Sequence, residues 1–520
     1  MSDPIVETTS GSVRGYVQDG IYGFRGIPYG APTSGANRWK APQAPAPWTG
    51  VREAIDFGPW APQPSIEIPA DSPMGNFFRQ TAKSEDCLVL NVWTSGLRDS
   101  TPKPVMVSLH GGAFTLGSGD LAPETLVERG DVVVVSMNHR LGLLGHLYLA
   151  EIGGEEWADS GNAGVLDVVL ALEWVRDNIG AFGGDPNRVM IFGCSGGSSK
   201  TLALMGMPAA KGLFHRANPI DAPFMKACEP AVATAIAEET LADLGVGPDQ
   251  LHQLYDLSWE QLLGAQNIDI AGELAAGSNR DRVLRYYPVV DGRSLPAHPF
   301  DPVASPLSSD VPMMIGTSRD SMTMLMLAQP WFGSLDEAGL HEIANRQTGT
   351  AGEEVVAAYR RSHPDWSPTE IACAIVTGRV MSARTVTLAE RKALDGHAPA
   401  YLYRWDYKAP GMGGIAGARH GGELPFVFKM IGKTSSVGFG DLSPFEGDRP
   451  RDYEMQELVS EAWVRFAHDG DPNHSGLPTW LSFSPEDRST MIFDDQCSLA
   501  NDPEPEIRAA YEQVPEDRWM

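Results

Sequence analysis

The chain predicts an α/β fold: a central, mostly parallel sheet flanked by helices, with large loop and helical insertions. Three observations carry this. Continuous apolar, β-branched runs at 105–109 and 132–136 alternate with helical stretches, the pattern of strands buried on both faces. A Gly-Cys-Ser-Gly-Gly turn at 193–197 joins one such strand to a helix. The 520 residues hold 55 Gly and 40 Pro, which suits many turns and long connections around one large sheet.

In chain order, β-like runs come first, at 5–9, 12–17 and 88–93, followed by the buried strands 105–109 and 132–136. Residues 162–182 read as a helix through Leu166, Leu170, Ala171, Trp174 and Val175, which recur at helical spacing. Strand 188–192 and helix 198–207 follow. Beyond them the reading is strands at 215–220, 313–316 and 400–405, and helices at 337–346, 353–361, 371–394 and 453–468. Stretches 267–285 and 411–422 read as mobile loops. With no repeat, low-complexity tract or linker, 1–520 reads as one catalytic domain with insertions.

Forty Lys and Arg against 67 Asp and Glu give a formal charge of −27. That argues against nucleic acid and against a polybasic membrane contact. The opening MSDPIVETTSGSVRG has no basic, apolar leader, and no run reads as the roughly 20 apolar residues of a membrane span. The five cysteines, Cys87, Cys194, Cys228, Cys373 and Cys497, are odd in number and lack paired spacing. A reduced, cytoplasmic protein without a metal or other cofactor is expected; the oligomeric state is left open.

The turn Gly193-Cys194-Ser195-Gly196-Gly197 follows the strand RVMIF and precedes a helix, the context in which G-x-S-x-G marks the nucleophile of an α/β hydrolase. Side chains two before and two after the serine would collide, hence the glycines. Ser195 is thus the expected nucleophile. Cys194, at the second position, packs beside the site rather than presenting its thiol, and Ser198 and Ser199 fall inside the helix. A second motif, His110-Gly111-Gly112-Ala113-Phe114, follows strand 105–109. Acyl transfer builds charge on a carbonyl oxygen, and aimed backbone N–H groups stabilise it. Those of Gly112, Ala113 and Gly196 are the expected oxyanion hole.

With these motifs the chain resembles the type-B carboxylesterase family, which includes cholinesterases and bacterial nitrobenzyl esterases. The similar segments are FRGIPYG (24–30), SEDCLVLNVW (84–93), HGGAF, NHRLGLLG (138–145), ALEWVRDNIGAFGGDPNRV (171–189), PAAKGLFHRA (208–217), GTSRD (316–320) and ARHGGELPFVF (418–428). The resemblance implies an α/β-hydrolase fold and ester cleavage by a Ser-His-acid triad. It makes His420, in H-G-x-E-L-P, the general base, and makes Arg25 and Glu85 a structural salt bridge. Secreted family members pair the cysteine of EDCL with an earlier one; no cysteine precedes Cys87.

Three departures from the family pattern matter. Its elbow glutamate is Cys194. Its catalytic acid should follow GTSRD directly, where Ser321 stands, with Met322 in place of a glycine. Its Q-S-G after the FHRA segment is Ile220-Asp221-Ala222, so a serine has become Asp221 at the neighbouring strand end. A serine cannot carry the charge that steadies an imidazolium, a loss costing about four orders of magnitude in a serine protease. The expectation is a relocated triad of Ser195, His420 and Asp221, with Ser321 a hydrogen-bonding relic; the alternatives are Asp320 as the acid and a degraded, acid-free site.

Phe114 is the expected substrate-binding side chain, with Trp331, Phe332 and Phe224 as further candidates for the pocket wall. Five methionines in MMIGTSRDSMTMLM suit an adaptable apolar pocket or core packing. Arg419 is expected to reach solvent. The reading is hydrolysis of small to medium, largely apolar carboxylic esters through an acyl-enzyme. Its alternatives are an amide or carbamate hydrolase or an acyltransferase using the same acyl-enzyme, and a non-catalytic binding protein on the same scaffold.

Overall fold

The computed structural model describes residues 4–65, 81–98, 101–222, 224–433, 436–438, 440–441 and 447–519. The central sheet has eleven strands: β1 (Tyr16–Gln18), β2 (Ile21–Pro28), β3 (Val89–Thr94), β4 (Lys103–Ser108), β5 (Val133–Met137), β6 (Gly184–Cys194), β7 (Arg216–Ile220), β8 (Met313–Ser318), β9 (Ala400–Trp405), β10 (Ser489–Phe493) and β11 (Ser498–Asn501). Their spatial order is 11-10-9-8-7-6-4-5-3-2-1. Strands β4 to β10 run parallel, while β11 at one edge and β3, β2 and β1 at the other pair antiparallel.

Two-sided burial explains why the middle strands are apolar throughout. Val105 and Val107 of β4 enter one core and Met106 the other; Ile191 and Phe192 of β6 divide in the same way. Successive side chains of a strand point to opposite faces, so both faces need apolar residues. Helices Ala163–Asn178 and Gly196–Met205 cover the first face. Helix Pro450–Asp469 covers the second through Met455, Val459, Trp463 and Phe466. This layering puts the C-terminal ends of β4, β6, β7 and β8 side by side, where an open α/β sheet places its ligand site.

The expected helix 371–394 is continuous over Pro368–Asp395, with a π-helical turn at Gly378–Ser382. By length and composition it could cross a membrane, contrary to the expectation that no run could; 78% of its apolar window is buried inside the fold, so its apolarity serves the core. The expected loop 267–285 carries two short helices, Ile270–Ala275 and Arg280–Leu284. Asp269 and Asn279 cap them by accepting the N–H groups of Gly272 and Arg282. Helices this short show no periodicity, and only the Asx caps announce them.

The expected Arg25–Glu85 pair does not form. Arg25 on β2 pairs with Glu124 at 3.2 Å and lies over the rings of Tyr16 and Phe57. Glu85 takes a two-pronged pair from Arg38, Nε at 2.6 Å and Nη2 at 2.7 Å, and Arg38 also donates to the carbonyls of Leu254 and Leu257. A guanidinium with five donors is consumed in tying three segments together there.

Candidate active site

Strand β6 ends at Cys194, and Ser195 turns the chain with φ 59° and ψ −118° before helix Gly196–Met205 begins. A non-glycine residue in that conformation is strained by roughly 1–3 kcal/mol. The surroundings enforce it: the Ser195 N–H donates to Ile220 O at 2.9 Å. The flanking glycines are steric necessities. A Cβ on Gly193 would fall 2.2 Å from Leu109 O and 2.8 Å from Gly197 Cα, and one on Gly197 would fall 2.0 Å from Leu109 O. Ser198 and Ser199 bond backward to Ser195 O, as their helical position implies.

Asp221 follows β7, one strand over, in the left-handed region at φ 48° and fully buried. Its N–H donates to Gly316 O at 2.8 Å. Its Oδ1 accepts the Ser318 N–H at 2.8 Å and the Thr317 hydroxyl at 3.1 Å, and its Oδ2 accepts the Ser318 hydroxyl at 3.1 Å. Oδ2 also lies 2.9 Å from His420 Nδ1. Burial raises the Asp221 carboxyl, but the His420 charge beside it and the Ser318 donors outweigh this, and its pKa falls below the ordinary value. Ser321 Oγ bonds the same His420 nitrogen at 2.7 Å. Asp320 points elsewhere: its Oδ2 accepts the Ala418 N–H at 2.8 Å and meets Arg319.

Gly112 and Ala113 both have positive φ, 84° and 53°. Ala113 packs so tightly on the elbow that a Cβ on Gly196 would sit 1.9 Å from Ala113 O. The N–H groups of Gly112, Ala113 and Gly196 have no acceptor among the described residues. Beneath the loop, Lys200 of the elbow helix is buried and donates to His110 O at 2.8 Å; burial pulls its amine down to about 7.

A cavity of about 610 Å³ opens over these groups and is lined by Ser195, Gly112, Ala113, Gly196, Cys194 and His420 among others. Its apolar wall includes Leu116, Leu274, Leu284, Met322, Met324 and Phe428. Phe114 does not line it, contrary to expectation. Its ring is buried behind the loop, edge-on to His146 and Phe224 and near the Lys200 amine. Phe224, Trp331 and Phe332 are likewise absent from the lining, whereas the short helices in 267–285 contribute to it. Two methionines of the MMIGTSRDSMTMLM segment reach the cavity, and Met313, Met314 and Met326 pack in the cores. Arg419, expected in solvent, is 3% exposed and donates to His420 O at 3.1 Å.

Next to Ser195, the Cys194 thiol lies 3.8 Å from His420 Nε2. Burial and the negative charge of Asp221 push that thiol well above its ordinary pKa. Cys194, Asp221 and His420 are the group of metal-ligating side chain types that comes together among the described residues, within 4.8 Å. Sequence reasoning missed Lys200, the Cys194–His420 contact and the burial of Arg419. A lysine in the elbow helix was the visible signal for the first; the other two depend on how the 418–428 segment folds back.

The profile of the Carboxylesterase family matches residues 2–509. The chain belongs to that family. It is 34% identical to a phenmedipham hydrolase of Pseudarthrobacter oxydans over 95% of each chain, and 33% identical to a para-nitrobenzyl esterase of Bacillus subtilis over 98% of each. Among solved structures it resembles a carboxylesterase of Geobacillus stearothermophilus at TM-score 0.82 and 34% identity, covering 98% of this chain and 99% of that one. This carboxylesterase-family protein is therefore a hydrolase acting on ester bonds, and the non-catalytic reading falls away.

Proposed function

We propose that this esterase cleaves small to medium, largely apolar carboxylic esters through an acyl-enzyme on Ser195, with His420 as general base and Asp221 as the acid. The observation that carries this is the 2.9 Å approach of Asp221 Oδ2 to His420 Nδ1. With the proton on Nδ1, Nε2 is free to take the Ser195 proton as the hydroxyl attacks the ester carbonyl. The imidazolium so formed has the Asp221 charge at contact distance, while Ser321 fixes the ring through its hydrogen bond. The N–H groups of Gly112, Ala113 and Gly196 receive the carbonyl oxygen as it becomes anionic. His420 then returns the proton to the departing alcohol, and water repeats the sequence on the acyl-enzyme.

A cavity of about 610 Å³ is of ordinary small-ligand size, and its apolar wall supports the preference for apolar esters. The five unpaired thiols support a cytoplasmic setting. The test is covalent labelling by a fluorophosphonate together with turnover of a p-nitrophenyl ester series. Labelling and turnover that vanish in Ser195→Ala, with turnover favouring acyl chains of medium length, are the expected result. Labelling that persists in Ser195→Ala overturns the nucleophile. Acyl products formed with added amine or alcohol in preference to water overturn hydrolysis in favour of transfer.

A further inference from the structure

The elbow position beside the nucleophile, one of the three departures from the family pattern, brings a second chemistry into the site. Cys194 Sγ and His420 Nε2 lie 3.8 Å apart, and both line the cavity. Zinc binds thiolate at about 2.3 Å and imidazole at about 2.0–2.1 Å, so two such bonds at a tetrahedral angle hold sulfur and nitrogen about 3.6 Å apart. The pair is set almost at the separation a chelated zinc ion requires, before any movement. Behind the imidazole, Asp221 Oδ2 lies 2.9 Å from Nδ1. A carboxylate on the far nitrogen of a metal-binding histidine fixes its tautomer and strengthens it as a ligand.

We infer that Cys194 and His420 form a binding site for a thiophilic divalent cation of the zinc type, and that its occupation reversibly shuts the esterase off. This rests on the reading of His420 as general base, because the metal takes the nitrogen that would accept the Ser195 proton. The exchange is simple: the cation bonds to the Cys194 sulfur and to His420 Nε2, and the thiol proton leaves to solvent. The remaining coordination positions face the cavity, where water or the Ser195 hydroxyl can fill them.

The local charges favour a dication. A carboxylate oxygen of the buried Asp221 lies within 4.8 Å of the Cys194 sulfur, and burial first and that negative charge second push the thiol above its ordinary pKa. The Asp221 charge that resists a bare thiolate attracts a cation, and a bound metal ion displaces the thiol proton outright. The glutamate usual in the family at this elbow position offers a hard oxygen; the sulfur in its place selects softer ions.

The test uses chelator-treated protein, Zn²⁺ as inhibitor and Co²⁺ as spectroscopic probe. Zinc is expected to inhibit p-nitrophenyl ester hydrolysis reversibly by chelator. Each variant is read against its own metal-free rate. Cys194→Ala should raise the half-inhibitory zinc concentration on the order of 10–100-fold or more, since losing a ligand costs at least what losing its supporting group does. Co²⁺ should give a thiolate-to-cobalt charge-transfer band that is absent in Cys194→Ala and present in Ser195→Ala. Equal inhibition of wild type and Cys194→Ala, or no thiolate band, overturns the site. A Cys194-dependent band with unimpaired hydrolysis supports the site and instead overturns His420 as the base.

Discussion

Asp221 Oδ2 lies 2.9 Å from His420 Nδ1, although Asp221 ends a different strand from the one after which the family supplies its acid. The carboxylate is held there by Ser318 and Thr317 from the adjacent strand end. Asp320, the other candidate, is committed to the Ala418 N–H. Asp221→Asn should therefore lower kcat by about four orders of magnitude, the cost of the same change in a serine protease. Asp320→Asn should change it by less than about tenfold, because it touches no reacting group. Steady-state kinetics on a p-nitrophenyl ester reads both, and the reverse ranking overturns the triad.

Ser321 occupies the family's acid position and still bonds His420 Nδ1, at 2.7 Å. The two strand ends have in effect exchanged a serine and an acid. Asp221→Ser should abolish most activity, and adding Ser321→Glu to it should recover at least about tenfold by returning the charge to the family location. Ser321→Ala alone should cost less than about tenfold, since a neutral hydrogen bond contributes roughly 0.5–1.5 kcal/mol. A double variant no better than Asp221→Ser shows that β8 cannot present an acid to His420 and removes the exchange as an explanation.

Much of this was legible in the sequence for a physical reason. A strand buried on both faces has to be apolar throughout, so β4, β5 and β6 announce themselves, and an elbow whose glycines prevent collisions has no other composition. Asp221 was legible because a charge appeared where the family has none at a strand end. Phe114 was misread because proximity in sequence to the oxyanion loop does not fix which way a ring points. After a backbone with two successive positive φ angles, at Gly112 and Ala113, the ring turns back into the core. The Arg25–Glu85 pairing failed similarly. The partners of an arginine are chosen by tertiary reach, and Arg38, 47 residues from Glu85, reached it instead.

That substitution of partners makes its own prediction. Arg38 and Glu85 are 5% and 9% exposed, so removing the cation strands a buried carboxylate. Arg38→Met should destabilise the fold by about 3–5 kcal/mol, the cost of breaking a buried pair from one side. Arg25→Met should cost less, because Arg25 and Glu124 are 23% and 26% exposed and solvent screens them. Urea unfolding midpoints at fixed slope measure both, and equal losses would contradict the assignment of Arg38 as the structural partner.

Glu423, three residues beyond His420, gives a pH signature. It is fully buried; Tyr403 donates to its Oε1 at 3.0 Å, and its Oε2 has no partner among the described residues. Burial first, and the charge of Asp221 second, raise its carboxyl from 4.5 to about 8. The unfolded chain releases this proton near the ordinary value while the folded protein keeps it. The stabilising contribution is therefore complete below about pH 4.5 and is lost as pH rises through about 8. Glu423→Gln has no proton to release and keeps an acceptor for Tyr403. Its stability relative to wild type should climb between about pH 5 and pH 8 and stay level above about pH 9. Urea midpoints across that range measure the climb. A difference that stays flat shows that the folded protein holds Glu423 ionised, and the protonated assignment then fails.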